Sequence, residues 1–179
     1  GGFWLGTASA VSSASGLILV YFFANYLEPE TYGTYRYVLS VYGLFTIASL
    51  GGISTAVTRS VAQGHEGDFF RGFRIQTLSS LVATLVAFGI AAYYAYRGNA
   101  PLSEALLLAG LALPLLESLD LFAAFLNGRK QFRLLSLYSI AANLLATGAL
   151  ILALWMGTSL LPLLLTYFLS WILARGIFF

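Results

Sequence analysis

Residues 134–174 read LLSLYSIAANLLATGALILALWMGTSLLPLLLTYFLSWILA, without one charged side chain. As a single α-helix this stretch would be about 60 Å long, twice the thickness of a bilayer's hydrocarbon core. It has to turn, and Gly157-Thr158-Ser159 followed by Pro162 supplies the place. Two membrane crossings result, about 134–156 and 160–178. Three more uncharged runs lie upstream: Phe3–Leu27, Tyr37–Thr58 and Ile75–Tyr96. Each is long enough to cross a bilayer, which takes about 20 apolar residues.

Composition agrees. Of 179 residues, 59% are hydrophobic and 9% charged, against roughly 25% charged in soluble domains. Mean hydropathy is +0.85. These values exclude a soluble globular enzyme and a disordered chain. Cysteine is absent, so there is no disulfide, thiolate metal site or cysteine nucleophile. His65 is the single histidine and cannot form a metal cluster by itself. Its loop neighbours Glu66 and Asp68 do not make it a catalytic group. No cofactor is expected beyond a coupling proton or sodium ion, and no nucleic-acid partner.

The expected fold is all-α: one polytopic membrane bundle of six transmembrane helices over 1–179. Their approximate bounds are 3–27, 33–60, 72–96, 103–126, 134–156 and 160–178. Pro29 ends the first segment, because proline cannot continue a hydrogen-bonded helix. Arg97-Gly98-Asn99-Ala100-Pro101 ends the third, and Asn127-Gly128 the fourth. The first run follows no basic leader and is too long for a signal peptide. The outermost apolar runs lack hydrophilic flanks, which reads as a fragment of a longer protein truncated at both ends.

Orientation follows from lysine and arginine, which concentrate on the cytoplasmic side. Arg59, Arg71, Arg74, Arg129, Lys130, Arg133 and Arg175 fall on one side, and Arg36 and Arg97 on the other. Both termini are then cytoplasmic. Tyrosines 26, 32, 35, 37, 93, 94 and 96 gather at the outer boundary, and Trp4 with Phe69, Phe70, Phe73 and Phe132 at the inner one, as interfacial belts do.

Small and weakly polar residues recur at helical spacing. The second segment has Ser40, Gly43, Gly51, Ser54 and Thr58; the fifth has Ser136, Ser139, Asn143 and Thr147. The first is dense in small residues from Gly6 to Gly16. In lipid such residues belong at helix contacts or facing a wet cavity. The fourth segment carries the sharpest signal, Glu117 and Asp120, three residues apart on one helix face. An ionised carboxylate at that depth costs at least about 2.5 kcal/mol unless paired or hydrated. Arg175 lies at a similar level and is the best internal partner. The pair is then either structural or a proton-, sodium- or substrate-linked site. Pro114 removes the N–H that would reach the Gly110 carbonyl, leaving that oxygen for water or a ligand. Arg59 is either a snorkelling anchor or a fork for an anionic head group.

The stretch ANYLEPETYGTYRYVLSVYGLFTIASLGGISTAVTRSVAQG, residues 24–64, resembles the start of Wzx-type polysaccharide flippases. These belong to the multidrug/oligosaccharidyl-lipid/polysaccharide exporter superfamily. The likeness rests on Leu27, Pro29, Glu30, Tyr32 and Gly33 in the turn. It continues in Gly51, Gly52, Ile53, Ser54, Thr55, Ala56 and Arg59. FLNGRKQFRLLS, residues 125–136, is similar to the family's loop between helices four and five.

The resemblance implies two six-helix lobes around a cavity, of which this chain is the first. The partners are then the bilayer, a lipid-linked oligosaccharide and a missing C-terminal lobe. The implied activity moves a polyprenyl-pyrophosphate-linked oligosaccharide from the inner to the outer leaflet of the cytoplasmic membrane. On that reading Arg59, Arg175 and Asn143 are substrate-binding, and Glu117 and Asp120 hold a coupling cation or an arginine. A lipid-linked peptidoglycan precursor flippase, a cation-coupled drug antiporter of the same superfamily and a non-transporting membrane assembly protein stay open. An acidic residue within the first segment would favour the antiporter, and none precedes Glu28.

Overall fold

The computed structural model describes residues 2–48, 52–157 and 159–177. Gly51, Thr158 and position 178 lie outside that set. Seven helices follow one another: α1 Gly2–Tyr26, α2 Pro29–Ala48, α3 Gly52–Ala62, α4 Asp68–Tyr96, α5 Ala100–Gly128, α6 Phe132–Trp155 and α7 Leu160–Gly176. No strand occurs among the described residues. The chain is an all-α polytopic membrane bundle. Helices α1, α4, α5 and α6 are each long and apolar enough to cross a bilayer; α2 and α3 taken together make a fifth. Helix α7 is apolar but has 17 residues.

The helix ends follow local chemistry. Pro29 opens α2, where its missing N–H costs nothing. Asn99 caps α5 by accepting a hydrogen bond from the Leu102 N–H, with proline in the first turn. Gly98 and Gly157 take positive φ after α4 and α6, the left-handed turn that glycine adopts without a Cβ penalty. Where a single second segment is expected over 33–60, the described residues form α2 and α3, whose axes differ by 51°.

Helix α5 is the axis. It touches α2, α3, α4, α6 and α7, and buries Leu106, Leu113 and Leu121 completely. Helix α1 sits outside, chiefly against α6. Where backbones approach closely, glycine is required. A Cβ at Gly110 would lie 3.0 Å from the Ala87 Cβ; one at Gly128 would lie 2.7 Å from the Thr58 carbonyl oxygen. A Cβ at Gly72 would collide with the Val57 side chain. Gly6, Gly16 and Gly43, by contrast, face open space. The small residues of α4 and α5 therefore serve packing, whereas on α1 Ser15 is buried but Ser9, Ser12 and Ser13 are exposed.

The two ends of the bundle differ. Aromatic rings fill one end: Phe23 lies 4.9 Å from Tyr35, whose ring meets Tyr167 edge-on. The Tyr37 and Tyr94 hydroxyls bond at 2.8 Å across α2 and α4. At the other end Arg129 pairs with Glu66 at 2.8 Å and lies over Phe125, and Arg133 lies over Trp4. This basic end has a smaller core, around Val57, Val61, Phe69, Leu121 and Ala124.

Candidate functional site

In an apolar interior each polar side chain needs a partner. Along α4 and α5 these partners face each other in sequence. Ser103 Oγ donates to the Ala91 carbonyl at 2.8 Å. Thr84 Oγ1 lies 2.9 Å from the carbonyl oxygens of both Gly110 and Ser80, sharing its one hydrogen between them. Thr77 and Ser118 join hydroxyls at 2.8 Å. Gln76 Nε2 donates to Glu117 Oε2 at 3.2 Å. The Gly110 oxygen, expected to be open to water or ligand, is thus taken by Thr84. Its usual donor is missing because position 114 is proline. A threonine one helix away supplies a shared hydrogen bond in its place.

Glu117 and Asp120 share α5 but have different surroundings. Glu117 is half-buried against α4 through Gln76 and within electrostatic reach of Tyr42 on α2. Asp120 meets Arg175 of α7, with Oδ1 3.1 Å from Nη2. Arg175 Nη1 also donates to the Leu116 carbonyl at 3.1 Å, and its guanidinium lies 5.1 Å from the Trp171 ring centroid. Three contacts fix the guanidinium plane. Its side chain is 22% exposed, while that of Asp120 is 51% exposed.

Asp120 is open on one side because it lines a groove of about 410 Å³ between α3, α5 and α6. Ser54, Thr55, Thr58 and Asn127 line the same groove. Thr58 Oγ1 donates to the Ala124 carbonyl at 3.1 Å, holding α3 on α5. The groove offers hydroxyls, an amide and a carboxylate with a guanidinium beside it, at the basic end of an otherwise apolar bundle.

The structure brings Asp120 and Arg175 together, with Glu117 one turn away on the α4 side. It does not bring Arg59 or Asn143 to the pair. Arg59 is exposed on α3 and lines a neighbouring hollow of about 530 Å³ that shares Thr55 with the groove. Asn143 lies between α6 and α1: its Oδ1 accepts from Ser12 Oγ at 3.4 Å and its Nδ2 donates to the Ser139 carbonyl at 2.9 Å. His65 sits exposed in the α3–α4 turn. Sequence reasoning missed Gln76 and Trp171. Gln76 had a visible signal, being a lone amide inside an uncharged run. Trp171 had its position one turn before Arg175, where a ring and a guanidinium meet on one helix face.

The fold and this cluster define a multi-pass membrane protein that keeps charge inside an apolar bundle. The chain belongs to the polysaccharide biosynthesis protein family, whose sequence profile matches residues 1–179. No curated protein and no solved structure matches it significantly.

Proposed function

We propose that this chain moves a polyprenyl-pyrophosphate-linked oligosaccharide from the inner to the outer leaflet of the cytoplasmic membrane. The observation that carries the reading is the Arg175–Asp120 pair at the edge of a hydroxyl-lined groove in an apolar bundle. Pyrophosphate and sugar cannot cross hydrocarbon unaided, since their polar groups would lose water with nothing in return. A groove that replaces water with guanidinium, hydroxyl and amide groups lowers that barrier, while the polyprenyl tail stays in lipid. Arginine suits the phosphate because its planar fork matches two oxygens at once.

Three features support the details. The basic end faces the cytoplasm on the rule that lysine and arginine stay inside, so the groove opens toward the leaflet where the substrate is made. The packed rings at the opposite end fit a carrier closed on that side. The exposed small residues of α1, with Asn143 beside Ser12, fit a second lobe from the same protein and contact with sugar hydroxyls. Arg59 lies where an arriving head group first meets α3. Glu117 is the site for a coupling proton or sodium ion. Membership of a polysaccharide biosynthesis family favours a glycan cargo over a drug.

The test is flipping itself. Purified full-length protein in vesicles carrying a polyprenyl-pyrophosphate-linked glycan is expected to make that glycan accessible to a lectin across the bilayer. Arg175→Gln is expected to abolish the transfer while the protein still inserts. Equal lectin access with and without protein would refute the reading.

A further inference from the structure

Arg175 already holds an anion, the Asp120 carboxylate. Asp120 holds one face of its fork, yet this carboxylate is half exposed to the groove that would receive the substrate. The guanidinium itself is fixed independently, by the Leu116 carbonyl and the Trp171 ring. Withdrawing Asp120 would therefore leave Arg175 in place, with Nη2 freed where the groove-lining carboxylate had been. A guanidinium has five N–H donors, and those not used by Leu116 suit two phosphate oxygens.

Resting on the flippase reading above, we propose that Asp120 is a built-in competitor of the substrate's pyrophosphate for Arg175. Before substrate binds, the carboxylate compensates the guanidinium, so that no uncompensated cation is held in an apolar bundle. An arriving pyrophosphate takes the carboxylate's place, and Asp120 turns into the groove. Leaving reverses the exchange: the returning carboxylate displaces the head group. Asp120 thus weakens binding and speeds release, which suits a carrier that must let its cargo go. Glu117 takes no part in the exchange, since its carboxylate is held by Gln76 on the α4 side.

The test uses inorganic pyrophosphate and detergent-solubilised full-length protein in titration calorimetry. Asp120→Asn keeps the shape and removes the charge. It is expected to tighten pyrophosphate binding about two- to fivefold, the equivalent of one half-exposed ion pair. Asp120→Glu, which retains the carboxylate, is expected to stay near wild type. A second measurement needs no variant. Carbodiimide-driven coupling of an amine to Asp120 in the wild-type protein, read by peptide mass spectrometry, is expected to accelerate severalfold on adding pyrophosphate. Coupling at Glu28 and Glu104 serves as the internal reference. Unchanged or weaker binding in Asp120→Asn, or protection of Asp120 by pyrophosphate, would overturn the proposal. Flipping that persists alongside such a result would leave the transport reading standing. Absence of flipping by the wild type would end that reading whatever the titration shows.

Discussion

Replacing Thr84 with valine removes one hydroxyl and keeps the side chain's shape. In α4 that hydroxyl lies 2.9 Å from both the Ser80 carbonyl of its own helix and the Gly110 carbonyl, whose own helical donor Pro114 has deleted. Thr84 is buried, so no water replaces the lost bond. A buried polar group left unsatisfied costs about 1–3 kcal/mol. Interhelical hydrogen bonds in membrane proteins average about 0.6 and reach about 1.7 kcal/mol. Because the hydroxyl's one hydrogen is shared with Ser80, the loss at Gly110 lies near the middle of that range, and Thr84→Val is expected to destabilise by about 0.5–1 kcal/mol. Reversible unfolding in mixed micelles by titration with dodecyl sulfate, followed by circular dichroism, measures this directly. The reasoning makes a sharper demand of the double variant. Pro114→Ala restores an N–H that can reach Gly110, so in that background the cost of Thr84→Val is expected to shrink to a few tenths of a kcal/mol. Equal costs in both backgrounds would refute the account, because the carbonyl would then never have depended on Thr84.

Two further predictions concern packing and the second carboxylate. Gly128→Ala places a methyl 2.7 Å from the Thr58 carbonyl oxygen and from the Val61 Cβ, and backbone cannot yield as a flexible side chain does. It is expected to destabilise by about 1–3 kcal/mol in the same unfolding measurement, while Gly43→Ala, facing open space, changes little. Glu117→Gln keeps an oxygen to accept from Gln76 Nε2, so the protein is expected to express and fold near normally. The dependence of flipping on an imposed proton or sodium gradient is expected to change; an unaltered gradient response would show the carboxyl to be structural.

Much of this fold is legible in the sequence because lipid imposes length. Uncharged runs bounded by Pro29, Pro101 and Gly157 locate helix ends to within a few residues of where they occur. The pairing of helices is not legible. In soluble proteins a polar face and an apolar face reveal which side packs, but here lipid-facing and core-facing positions are both apolar. Leu85 and Leu113 look alike in sequence, yet one is exposed and the other fully buried. The break between α2 and α3 escapes notice because it interrupts a run without a charge. Asp120 and Arg175 are findable, since charge at membrane depth demands a partner. Thr84 as the answer to Pro114 is not, because the two come from different helices and only the packed α4–α5 pair shows the match. Asn143 illustrates the converse: its polar spacing is plain, but its nearest interhelical partner lies on α1 and not in the groove.

The notches at Gly72 and Gly128 have a mechanical consequence. They lock α3 onto α4 and α5 in one register, with Val57 and Val61 as the teeth. The wall bearing Ser54 and Thr58 therefore cannot swing as a loose flap. On the proposed transport reading, a rearrangement that presents the groove to the opposite leaflet is expected to carry the three helices together as a single wedge.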